Sequence, residues 1–389
     1  MRVLHCVPSL DPSYGGPVAV LKGLTRQLDL LGVSSSILCC STGSPEADAS
    51  NASAFPGARI LWSHPAVSRF YWEPFLARRL RKRLKDFDLL HIHGFFNGIT
   101  RAACLAARRS GIPYVLEPFG TLSPRCLARN GFMKNILLIG GARGDIEAAN
   151  AVFFTSEFER DEALKNFHIS RSFIAPNGLD WVEFEAPPAV GRFREEWKLK
   201  DGCQVLLFIG RLDPIKGLEV FLPAFLDWAG AEPGDWIMVL AGPDKKGYRK
   251  KLERLAETKN GTSRVLFTGP LYGAERIRAM MNADLIVLPS FHESFGLSAL
   301  EGMACAKPVL VSDQVALHPV IRRLDAGEVA AVDARSMRRA LERMAERRSQ
   351  WPAMGQRARR WAAENSRWEW IAGKVAGEYK KILQEDSAR

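Results

Sequence analysis

No stretch of this sequence approaches the roughly 20 consecutive apolar residues that a membrane-spanning helix requires. The opening, MRVLHCVPSLDPSYGG, meets proline and glycine too early for a signal peptide and reads as the first strand of a cytosolic protein. The seven cysteines contain no Cys-x-x-Cys pair, and Cys39 and Cys40 are adjacent. That spacing excludes a zinc ribbon and gives no disulfide framework, so they read as small apolar residues. A Walker loop is absent, and so is any nucleic-acid recognition motif. Acidic residues are also in deficit, 43 against 54 Lys and Arg, which leaves a net charge of +11. Such a surface favours anionic partners and says nothing about fold.

The densest positive block is RFYWEPFLARRLRKRLKDFD, in which six of the eight residues 78–85 are basic. Phe70, Tyr71, Trp72 and Phe75 precede it. Two readings fit: a solvated helix face beside core aromatics, or a helix lying on an anionic membrane with its aromatics at the interface. Nucleic acid is not expected.

At 389 residues, 47% of them hydrophobic, the chain suits two globular domains. Its apolar runs are short, rich in Val, Ile, Leu and Phe, and do not alternate with polar residues, which marks parallel strands buried on both faces. RVLHCV, SSILCC, ARILW, DLLHIHG, PYVLEP, AVFFTS and SFIAPNG come first. After NGLDWVEFEAPPAVGRFREEWKLKDG, read as a connection, the pattern restarts with CQVLLFIGRLD, DWIMVLAGP, RVLFTGP, ADLIVLPS, KPVLVSD and AGEVAAVD. Intervening helical stretches make this an α/β chain with two doubly wound, Rossmann-like domains. Ligands of such sheets bind beyond the carboxyl ends of the strands, and two facing sheets would make a cleft.

The candidate functional residues fall at those ends. In FIGRLDPIKG, Arg211 and Lys216 can aim a planar fork and a point charge at one diphosphate. In PSFHESFGLSALEGMA, Glu293 ends a strand, and a helix is expected to begin near Ser294 or Phe295. Amides of Phe295, Gly296 and Leu297 would then suit a phosphate. Glu301 lies eight residues on, about 12 Å along a helix. Carboxylates so placed can accept hydrogen bonds from hydroxyls at the two ends of a diphosphate sugar; alternatively, they are a dipole-complementing residue and a solvated one. Gly15 and Gly16, in PSYGGPVAV, permit close backbone approach to a ligand or simply mark a turn. In DLLHIHG, His93 is either a donor or base facing the ligand or a satisfied packing histidine.

Nearly end to end, these segments resemble the retaining GT-B glycosyltransferases of family four. The likeness rests on GGPVAV, HIHG, EPFGTLSP, IAPNGLD, GRLDPIKG, ADLIVLPSFHESFGLSALEGMACAKPVL and SRWEWIAGKVAGEYKKIL. It implies an acceptor domain over 1–180, a nucleotide-sugar donor domain over 181–365, and a terminal helix, 366–389, crossing back to the first domain. Arg211 and Lys216 would clamp the donor diphosphate, helped by the amides of residues 295–297 and by Gly16. Glu301 would hold the ribose, and Glu293 would face the donor sugar and stabilise charge at its anomeric carbon. No metal or other cofactor is expected.

One departure concerns EPFGTLSP, where many relatives carry histidine before Gly-Thr and this chain has Phe119. A subgroup that builds bacterial surface polysaccharides, including lipopolysaccharide, looks similar there, and His93 could take the missing role. Ala306 stands where glycine is usual and is expected only to tighten a turn. The expected activity is α-linked transfer of a hexose or N-acetylhexosamine to a lipid-linked glycan at the cytoplasmic membrane face. A phosphorylase, an epimerase or a non-catalytic sugar-nucleotide-binding subunit are the alternatives.

Overall fold

The computed structural model describes residues 1–67, 70–186, 192–244 and 247–387. Two compact units divide the chain: Met1–Gly178 with Arg367–Arg389, and Leu179–Ser366. Of the expected connection between them, 187–191 lie outside the described residues.

The first unit is built on a seven-stranded sheet in the order β3-β2-β1-β4-β5-β6-β7. Its strands are β1 (Arg2–Cys6), β2 (Ser34–Cys40), β3 (Arg59–Ser63), β4 (Leu89–His93), β5 (Tyr114–Glu117), β6 (Ala151–Phe154) and β7 (Ser172–Ile174). Every strand pair is parallel. β4, β5 and β6 are buried at every residue, as a sheet covered on both faces requires. All seven runs expected from the sequence are strands.

Helix Trp368–Ser387 is last in the chain yet packs in the first unit, with Ile371, Val375 and Tyr379 in one core with Val3, Leu24 and Val115. Its first residue explains two glycines. A Cβ on Gly23 would stand 2.1 Å from the Trp368 indole, and one on Gly178 2.4 Å from it. Any larger residue at either position would lift the helix off the unit.

The basic block forms the short helix Leu76–Arg81 and a single turn at Leu84–Asp86. Leu76, Leu80 and Leu84 are buried, while Arg78, Arg79, Arg81, Lys82, Arg83 and Lys85 are exposed.

The second unit holds six parallel strands in the order β10-β9-β8-β11-β12-β13. They are β8 (Gln204–Ile209), β9 (Trp236–Ala241), β10 (Val265–Gly269), β11 (Leu285–Leu288), β12 (Val309–Ser312) and β13 (Gly327–Ala330). The order reverses between β8 and β11. Chain leaving those two neighbours departs in opposite directions and opens a crevice beyond their carboxyl ends, where doubly wound folds bind ligands. In the first unit the same reversal lies between β1 and β4.

Candidate active site

In the second unit, the segments leaving β8 and β11 are locked together by backbone. Gly210 follows β8 with φ 156°, and a Cβ on Gly242 would stand 1.8 Å from the Gly210 carbonyl oxygen. Asp213 then caps a tight turn, Pro214–Lys216, by accepting from the Ile215 amide at 3.1 Å. Gly217 closes that turn in the left-handed region, φ 70°, and any Cβ there would stand 2.0 Å from the Pro289 carbonyl oxygen. The Phe291 amide donates to Ile215 O at 2.8 Å. Two loops that are distant in sequence are thereby held as one rigid corner.

That corner brings Lys216 to Glu293. Their ammonium and carboxylate form an ion pair, with both side chains less than one-fifth exposed. Ser290 Oγ donates to the same carboxylate oxygen at 2.9 Å. The Glu293 backbone is fixed too, its amide donating to Gln314 O at 3.0 Å and its carbonyl accepting from Ala316. Arg211, on the same loop as Lys216, is exposed. A cation, a carboxylate and an exposed guanidinium thus stand at the switch point of the sheet.

The helix after β11 begins later than its sequence suggested. It spans Leu297–Ala304, with Gly296 in the left-handed region (φ 101°) immediately before it. Ser294 and Phe295 therefore precede the helix, and Phe295 places its ring in the core. Gly296 imposes the delay: a Cβ there would stand 2.6 Å from Val315, and the positive φ ends any earlier helical turn. The free amides of a helix start consequently lie at Leu297 and after, not at Phe295.

Glu301 is buried at 5% exposure, not solvated. Arg276 forms an ion pair with it and also bonds Glu183 at 2.8 Å. Burial pushes the Glu301 carboxyl above its ordinary range, opposed by the Arg276 charge. Neither Arg276 nor Ser290 stood out in the sequence, because an arginine in a helix and a serine in a loop carry no local signal.

The first unit offers open backbone at Gly15 and Gly16. Gly15 has φ 89°, and a Cβ at either position would meet nothing within 4 Å. Helix Gly16–Leu30 starts there.

His93 does not fit the expected role of an open donor or base. It is 1% exposed, with Nδ1 2.6 Å from Glu117 Oε2 and Nε2 3.0 Å from His5 Nδ1. With Glu117 ionised, His93 donates to it and accepts from His5. Burial raises the Glu117 carboxyl and pushes His5 and His91 well below the usual histidine range, so these rings are neutral. The Tyr379 hydroxyl and His91 Nδ1 share a hydrogen bond at 2.6 Å, which ties the last helix to this network. Among the described residues, His5, His91 and His93 are also the group close enough to hold a metal, with ligand atoms within 4.8 Å of one another. Hydrogen bonds join His93 to His5 and Glu117, and His91 Nδ1 to Tyr379, while His91 Nε2 lies 3.4 Å from Glu117 Oε2 and makes no hydrogen bond. The reading of His93 as a satisfied packing histidine is the one its surroundings support. Phe119 stacks over it at 6.0 Å, with φ 51°.

Two family models match the units in turn: "Glycosyltransferase Family 4" over residues 14–181 and "Glycosyl transferases group 1" over 190–361. The chain is a GT-B glycosyltransferase of the family 4 type. Among curated relatives, the D-inositol 3-phosphate glycosyltransferase of Kineococcus radiotolerans is 26% identical over 327 residues, 78% of this chain and 74% of that protein. Among solved structures, Anabaena HepE in complex with UDP and glucose superposes with a TM-score of 0.80 at 17% identity, covering 98% of this chain and all of that one. WaaG, a glycosyltransferase involved in lipopolysaccharide biosynthesis, gives 0.71 at 17% identity over 96% of this chain and 98% of its own. These two likenesses show the fold. The glycosyltransferase thus carries its partly buried ion pairs, Lys216–Glu293 and Arg276–Glu301, in the unit matched by the group 1 model.

Proposed function

We propose that this glycosyltransferase moves a hexose or N-acetylhexosamine from a nucleoside diphosphate sugar to a lipid-linked glycan in cell-surface polysaccharide synthesis, with retention and hence an α-linkage. The observation that carries the donor half is the fixed Lys216–Glu293 corner at the β8/β11 switch point. A diphosphate arriving there competes with Glu293 for the ammonium, and Arg211 closes on it from the exposed side. As the bond to the anomeric carbon lengthens, negative charge grows on the leaving diphosphate, where pre-placed cations lower the barrier most. Glu293, released toward the sugar, faces the positive charge at the anomeric carbon. Glu301, in the second turn of the helix that follows, serves the ribose hydroxyls. UDP is the first nucleotide to test, because the HepE neighbour was solved with it. The WaaG neighbour supports the glycan class, and the exposed basic helix supports an anionic membrane surface as the place of work. The proposed attachment is peripheral; no described helix is long and apolar enough to cross a membrane.

Donor hydrolysis tests this without knowledge of the acceptor. With water replacing the acceptor, real-time NMR of the released sugar should show the α-anomer first. Release of the β-anomer first would overturn retention. Turnover that requires inorganic phosphate and no sugar nucleotide would make the enzyme a phosphorylase instead.

A further inference from the structure

Beyond β5, the first unit carries a helix that is inverted with respect to the usual amphipathic arrangement. Gly131–Leu137 continues through Leu138–Ala142. Its cation points inward: the Lys134 ammonium donates to Cys126 O and lies 5.3 Å from the Phe96 ring. Leu138 and Ala142 are the apolar residues that pack on the core. Its apolar residues point outward instead. Phe132 is 82% exposed and Ile139 87%, while Met133, Ile136 and Leu137 are exposed as well. Phe132, Ile136 and Ile139 follow i, i+4, i+7 spacing and form one ridge.

The ridge is not a frayed end. Arg101 donates to Gly140 O at 3.1 Å and pairs with Asp145, which is fully buried and also takes Arg108 at 3.1 Å. Arg101, itself anchored on Asp145, therefore holds a greasy edge in water. The aromatic segment of the basic block lies at the same end of the sheet. A Cβ on Gly98, at the start of the next helix, would stand 2.6 Å from the Trp72 Cα, and Phe96 two residues earlier underlies Lys134.

We propose that this ridge inserts into the interfacial layer of an anionic phospholipid bilayer. The idea rests on the membrane-borne acceptor proposed above and adds the element that enters the lipid. Charge decides between a bilayer and a second copy of the chain. Residues 125–144 contain four Lys and Arg and no Asp or Glu, and Arg125, Arg129 and Arg143 are exposed. Two such faces would bring like charges together, whereas lipid phosphates satisfy them around an inserted apolar edge.

The test is sedimentation of the full chain with phosphatidylglycerol–phosphatidylcholine vesicles and with phosphatidylcholine alone. The wild type is compared with a Phe132→Ser, Ile136→Ser, Ile139→Ser variant and an Arg81→Glu, Lys82→Glu, Arg83→Glu variant. These positions are all exposed, so folding is retained, and UDP-induced thermal stabilisation checks it. The expected result is binding to the anionic vesicles that persists in high salt and falls by about tenfold or more in the serine variant. Undiminished binding of the serine variant overturns the ridge; if the charge-reversed variant alone fails, the membrane reading survives without it. No binding of the wild type to any vesicle defeats both the ridge and the membrane reading. A wild-type dimer that the serine substitutions convert to monomer makes a second copy the occupant and overturns the proposal.

Discussion

Lys216 and Glu293 stand 77 residues apart in sequence and form an ion pair at the end of β8 and β11, enclosed enough that each side chain is under one-fifth exposed. Backbone, not side chains, sets this meeting. Gly217 lies flat against Pro289 O, and the Phe291 amide reaches Ile215 O. Charge at that corner is therefore pre-placed, as catalysis by fixed charges requires.

Glu301 depends on Arg276 for its place in the interior. Arg276→Ala leaves a carboxylate at 5% exposure without its cation. The expected loss is about 3 kcal/mol of unfolding free energy in urea titration. Glu301→Gln, which removes the charge itself, should cost clearly less. Equal losses would mean that the pair does not govern the burial.

His93→Ala should damage folding and spare chemistry. It removes the donor to Glu117 and the acceptor of His5, and a buried polar group left unpartnered costs about 1–3 kcal/mol. Turnover per folded molecule should stay close to wild type. A collapse of turnover with an unchanged melting temperature would restore His93 as a catalytic residue.

Glu159 gives a pH signature. It is buried and accepts from the Gly120 amide at 2.5 Å and from both the amide and hydroxyl of Thr155. Burial pushes its carboxyl up to about 7 from an ordinary 4.5, against the pull of those bonds. Between those two values the unfolded chain has lost a proton that the folded one keeps, so stability falls as pH rises through that window. Glu159→Gln should flatten the fall in a comparison of melting temperatures from acidic to neutral pH. An identical slope in both proteins would refute it.

Ala306 occupies the left-handed region at φ 56°, and Gly355 sits beneath its carbonyl, where a Cβ would stand 1.9 Å away. The turn is thus strained and fixed. Ala306→Gly should relieve about 1–2 kcal/mol of strain, less about 0.4–1 kcal/mol of added unfolded-state entropy. A melting temperature raised by a few degrees or less is expected, and a drop would show that the strain is absent.

What the sequence made legible was whatever is local. Each continuous apolar run became a parallel strand, and those in the middle of the sheets are buried throughout, as coverage on both faces demands. Arg211, Lys216, Glu293 and the glycines were visible because they punctuate strand ends. What was illegible is what packing decides. The helix start slipped to Leu297 because Val315, from another strand's loop, leaves room only for a glycine at 296. His93 looked available from its position at the end of β4, but His5 and Glu117, from neighbouring strands, enclose it. Arg276 joins Glu301 only in three dimensions.

Thermal unfolding with UDP, GDP, ADP, CDP and dTDP, in wild type and Lys216→Ala, tests the central claim most directly. A ligand at a hundred times its Kd adds about 2.7 kcal/mol, a rise of several degrees. One nucleotide, UDP first among them, should raise the wild-type midpoint, and Lys216→Ala should lose most of that response together with about tenfold or more in kcat/KM, since a charged hydrogen bond is worth about 1.5–3 kcal/mol. Equal responses in the two proteins, or none in the wild type, would contradict a diphosphate site at the Lys216–Glu293 corner.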